Sequence, residues 1–199
     1  MRAQPCLLML TAVSCLFAAD PPSVTVLVDF EMPPSELSYS AMQKETEAAF
    51  LASGRKVMFK LKSDVAAGET FEDVVLMSFD GKCKMDPMPV LFDERGPLAF
   101  TRTVNGDVQP FGVVRCDRIR KALQRAMWGR DYKEGDQLMG RAMGRVVAHE
   151  LYHMLGKTHD HCDEGVARKA LSGKALLSEK LDFKQESLDK LKAHAGGSE

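Results

Sequence analysis

Residues 149–159 read HELYHMLGKTH, and they hold the strongest chemical pattern in the chain. His149 and His153 are four positions apart, so on a helix they stand one turn above each other on the same face. That separation lets two imidazoles reach one tetrahedral Zn²⁺ at about 2.0 to 2.1 Å. Glu150 lies too far round the helix to ligate well with them, but it can reach a water on the metal, the position of a general base. Gly156 tolerates positive φ and is expected to end the helix, turning the chain back so that His159 supplies the third ligand. Three neutral imidazoles leave one coordination position open, as in catalytic rather than structural zinc sites. Rival donors follow closely. His161, Asp163 or Glu164 would be the replacement for His159, a carboxylate giving a His₂Glu set, and a Cys162 thiolate in the open position would hold the site latent.

These side chains need a rigid support, and a helix is expected to supply it, running through Leu138, Met139, Met143, Val146, Val147 and Leu151 at three-to-four-residue spacing with Asp136 as its cap. Upstream, residues 23–30 (SVTVLVDF) form a β-branched run of strand length, followed by Pro33-Pro34-Ser35 as stop and cap. A helix over 36–53 closes at Gly54. Residues 56–62 alternate apolar and basic, which puts Val57, Phe59 and Leu61 on one side of a strand with one wet face. Residues 73–79 (DVVLMSF) are more continuously apolar and end at Asp80-Gly81, as a buried central strand does. Residues 82–97 read as loop. Residues 98–104 and 108–116 flank the turn signal Asn105-Gly106-Asp107 and predict a hairpin. A short amphipathic helix over 118–128 and a polar loop over 131–135 precede the histidine helix, and a last helix capped by Asp182 with Gln185 turns Leu188 and Leu191 inward. The 196–199 tail is expected to be disordered.

With 199 residues and 45% hydrophobic composition, the chain can bury one core, so a single domain over 20–195 is expected, divided into 23–156 and 157–195. Its 27 basic and 28 acidic residues nearly cancel, which removes the field that would gather nucleic acid. Residues 1–19 have the basic, apolar and small-residue order of a secretory signal peptide, too short to span a membrane. The expected setting is secreted or periplasmic, with no membrane span and a monomer as default. Cleavage there would remove Cys6 and Cys15, leaving Cys83, Cys116 and Cys162 in an oxidising compartment. Cys83 follows one predicted strand and Cys116 ends another, so these two are expected to pair, leaving Cys162 free or drawn to the metal.

The stretch HELYHMLGKTHD resembles the extended signature HExxHxxGxxH of the metzincin clan of zinc metallopeptidases at every fixed position. The resemblance implies His149, His153 and His159 as zinc ligands and Glu150 as catalytic base and acid. It also implies an α+β fold, with a twisted mixed sheet of four to five strands, a long active-site helix and a small C-terminal helical part. An extended peptide would lie antiparallel to an edge strand, for which residues 98–104 are the candidate. The chain departs from the clan in having no methionine after Met154; Val166 and Ala167, following Gly165, fall where the methionine turn is expected. Secreted peptide-bond hydrolysis is the expected activity; a secreted protein stapled by structural zinc, or a degenerate metzincin that binds zinc with little turnover, are the alternatives.

Overall fold

The computed structural model describes residues 21–86, 96–127 and 132–194. The expected leader with Cys6 and Cys15, the tail over 196–199 and the middle of the loop expected at 82–97 lie outside the described residues.

The chain opens with β1 (Ser23–Met32), in which Val24, Val26 and Val28 are buried while their neighbours are half exposed. Ser35 caps α1 (Glu36–Phe50) by accepting the Ser38 N–H, and a short 3₁₀ turn then ends at Gly54 with φ 73°. Strands β2 (Lys56–Leu61) and β3 (Val74–Lys82) follow, then β4 (Ala99–Val104) and β5 (Asp107–Arg115). Asn105 and Gly106, with φ 54° and 91°, make the two-residue turn of the predicted hairpin. Helices α2 (Cys116–Ala126), α3 (Gly135–Leu155), the single-turn α4 (Gly173–Leu176) and α5 (Gln185–Ala193) complete the described chain. No helix among the described residues is long and apolar enough to cross a membrane.

The five strands form one mixed sheet in the order β2-β1-β3-β5-β4, parallel throughout except for β4, which runs antiparallel to β5 at the edge. Period-two burial recurs in register, with Val26 beside Val75 and Val28 beside Met77. One face is therefore sealed by α1 and α3 while the other stays half wet. Sixteen of the 21 residues of α3 are buried, because the helix is enclosed by the sheet, α1 and the C-terminal segment.

Two features lock α3 in place. A Cβ on Gly140 would stand 2.3 Å from Ser38 O, and one on Gly144 would stand 2.6 Å from Met42 O, so α1 and α3 approach to backbone contact. Arg145, 1% exposed, joins three parts of the chain: its Nε donates to Glu45 at 2.6 Å and its Nη1 to Ala175 O and Leu176 O at 3.0 Å each.

The other two predicted caps are corrected. Asp136 lies within α3, not before it, and its Oδ1 accepts the Met85 N–H at 2.7 Å. At α5 the cap position is Lys184; the Asp182 carboxylate pairs with Lys180, and Gln185 donates to Asp189. In each case a tertiary or neighbouring charged partner outcompetes the helix end. The inner face of α5 is as expected, with Leu188 and Leu191 buried. Cys83 and Cys116 form a disulfide across the adjacent ends of β3 and β5, and Cys162 is free.

Candidate metal centre

His149 and His153 lie near the end of α3, where its face meets the edge strand. Each ring is held from behind by a backbone carbonyl: His149 Nδ1 is 2.8 Å from Val166 O and His153 Nδ1 is 2.8 Å from Thr158 O. A carbonyl only accepts, so both Nδ1 atoms carry the proton and both Nε2 atoms present bare lone pairs. These two Nε2 atoms are 3.1 Å apart. Lone pairs facing each other at that distance repel unless a cation lies between them, and two nitrogens about 2.0 to 2.1 Å from one tetrahedral ion are separated by roughly 3.4 Å. The donor set and its backing therefore fit zinc, with the outer hydrogen bonds that orient metal-binding imidazoles. Burial pushes the His149 pKa down and that of His153 down to about 4, which favours the neutral form of both rings.

The third imidazole in this group is His161, and ligand atoms of His149, His153 and His161 all lie within 4.8 Å of one another. The ring of His161 stacks on His149 at 5.3 Å between centroids and meets His153 edge-on at 4.7 Å. His159, expected from the spacing as third ligand, lines the same cleft but donates from Nε2 to Gly106 O at 2.9 Å, on the β4–β5 turn. The loop takes a different route from the predicted one. Gly156 keeps a right-handed conformation, φ −86°, and the positive φ falls on Lys157, 45°. Thr158 N then bonds to His153 O at 3.2 Å, and the chain reaches the histidine pair two residues later than expected.

Glu150 is 5% exposed and lines the cleft between the histidines and β4. Its Oε2 accepts from Thr101 Oγ1 at 2.7 Å. Burial raises its pKa to about 7, opposed in part by the Thr101 hydrogen bond, so the carboxyl can both take and return a proton near neutrality. Thr101 was not legible as a site residue; only its place in the candidate edge strand pointed towards it.

Val166 and Ala167, the residues expected in place of a methionine turn, are fully buried, and Val166 O backs His149. The Cys162 Sγ lies 3.1 Å from Ser187 Oγ and outside the histidine group. Asp163 and Glu164 are exposed and likewise outside it, Glu164 pairing with Lys184.

A mostly parallel five-stranded sheet with an antiparallel edge strand, set against a long helix bearing paired histidines, agrees with the expected α+β class. Among solved structures, the chain is similar to the crystal structure of archaemetzincin from Methanopyrus kandleri, with a TM-score of 0.54 over 90% of this chain and 98% of that one. Sequence identity is 16%, so the likeness is one of fold. No family model and no curated protein matches the sequence.

Proposed function

We propose that the chain is an exported zinc-dependent peptidase that hydrolyses bonds within peptide or protein substrates, Glu150 serving as general base and then acid. The observation that carries this reading is the pair of bare Nε2 atoms, 3.1 Å apart and backed by carbonyls, with a buried carboxyl on the next residue. His149 and His153 would hold the ion, and the loop after α3 would supply the third imidazole. His161 is favoured for that role because His159 spends its Nε2 on Gly106 O. Bound zinc supplies Lewis acidity and lowers the pKa of adjacent water. Thr101 orients the Glu150 carboxylate, which takes a proton from the attacking water and returns it to the leaving amine. An extended peptide paired antiparallel with β4 would be bound mainly through its backbone, as edge-strand recognition allows. Export is supported by the leader pattern at residues 1–19 and by the Cys83–Cys116 pair, which suits an oxidising compartment.

Elemental analysis of zinc, with casein hydrolysis followed alongside, tests these roles. Wild type is expected to hold one zinc and cleave. Glu150→Gln should keep the zinc and lose on the order of 10² to 10⁴ in rate. His161→Ala should lose zinc, and His159→Ala should retain it. Loss of zinc from His159→Ala alone would return the third ligand to the position expected from spacing. Zinc bound without cleavage in wild type would leave only a structural zinc site, and cleavage undiminished in Glu150→Gln would remove Glu150 from the chemistry.

A further inference from the structure

Next to the histidine cleft lies a second hollow of about 300 Å³, walled by Leu98, Ala99, Val146 and Leu171, with His149 and Glu150 shared between the two. Lys169 lines both, and among the described residues it is the sole lysine or arginine lining either one. It is exposed and makes no ion pair among the described residues. The one acidic group in these walls is Glu150, already held by Thr101.

The position of the hollow decides which part of a substrate it meets, given the peptidase reading on which this inference rests. β4 runs from Ala99 to Val104, and the hollow lies at its Leu98–Ala99 end. A peptide antiparallel to β4 therefore directs the residues after the cut bond towards Lys169. An apolar pocket with an ammonium at its rim suits a short aliphatic stem ending in an anion.

We propose that Lys169 selects substrates that present a carboxylate just beyond the cut bond, on the leaving-amine side. The carboxylate can be a glutamate or aspartate side chain or the substrate's own C-terminus.

The experiment uses zinc-loaded protein and peptides that differ only in Glu or Gln at one central position, with a further Gln peptide ending there as free acid or as amide. Cleavage sites are read by mass spectrometry, and binding of the same peptides to zinc-loaded Glu150→Gln is read by calorimetry. Cutting before Glu is expected to exceed cutting before Gln by about fivefold in kcat/KM, mainly through KM, the size of a partly exposed charge pair. The preference should weaken with added salt. Lys169→Arg should keep it, Lys169→Ala should abolish it, and Lys169→Glu should turn it towards a Lys-containing peptide. If Glu and Gln behave alike while the free acid outperforms the amide, the lysine reads the C-terminal carboxylate and the enzyme trims from that end. Ratios within twofold of one in both comparisons, or a preference that survives Lys169→Ala, overturn the proposal. Absence of cleavage in every peptide would count against the peptidase reading instead; the calorimetric Glu-to-Gln difference, compared with and without Lys169→Ala, would then decide the role of Lys169.

Discussion

Burial moves the protonation of two residues lining the same cleft in opposite directions. Glu150 rises from its ordinary carboxyl value to about 7, and His153 falls to about 4. In metal-free protein the Glu150 contribution to stability is fully present below about pH 4.5 and is lost as pH rises towards 7, because the folded state must then ionise a buried carboxyl. His153 acts the other way: its contribution is present above about pH 6.5 and is lost as pH falls towards 4. Glu150→Gln removes the first effect and keeps an acceptor for Thr101. Chelated Glu150→Gln should therefore be more stable than chelated wild type at pH 8 by on the order of 3 kcal/mol. That corresponds to roughly 5 to 10 °C in thermal midpoint, and the difference should vanish by pH 4. Equal midpoints at pH 8 would mean that water reaches the carboxyl in the folded protein. The spacing of His149, Glu150 and His153 made this chemistry legible; the identity of the third imidazole was not, because it depends on the Lys157 backbone and on the Gly106 carbonyl that engages His159.

At the scale of elements, the histidine helix is positioned by contacts that hydrophobic periodicity does not report. Gly140 and Gly144 admit the α1 backbone, Thr46 donates to Gly144 O at 3.1 Å, and Ser38 donates to Asp136 O at 3.0 Å. Gly144→Leu would place its Cβ 2.6 Å from Met42 O, and backbone on that side cannot yield without moving α1. The expected cost is at least about 2 kcal/mol in urea unfolding, with weaker zinc retention because the same helix carries two of the proposed ligands. An unchanged urea midpoint would show that the two helices can separate freely. The Gly-x-x-x-Gly spacing at 140 and 144 is visible in the sequence, whereas which of Arg141 and Arg145 is buried is not. Periodicity assigns them to a helix but does not say which neighbour they meet.

For the whole molecule, the Cys83–Cys116 disulfide and the bonds of Arg145 to Ala175 O and Leu176 O tie the sheet and helices together. The Cys83–Cys116 bridge spans a sequence separation of 33, and loop-closure entropy sets its contribution at about 4 kcal/mol. Replacing both cysteines with serine should lower stability to chemical denaturation by about that amount while zinc binding persists, since neither cysteine belongs to the histidine group. Loss of zinc together with the bridge would place the two sites in one cooperative unit. Much of this architecture was written locally. The β-branched run in 23–30, the alternation in 56–62, the apolar run at 73–79 and the Asn105-Gly106 turn each specify an element through the geometry of a few adjacent residues. So do the four-residue spacing of His149 and His153 and the place of Glu150 beside them. Tertiary structure alone decided which imidazole joins the pair, that Thr101 holds Glu150, that Asp136 serves Met85 instead of its own helix, and that Lys169 faces the cleft. Those outcomes depend on groups distant in sequence competing for one partner in space, and only the folded chain settles that competition.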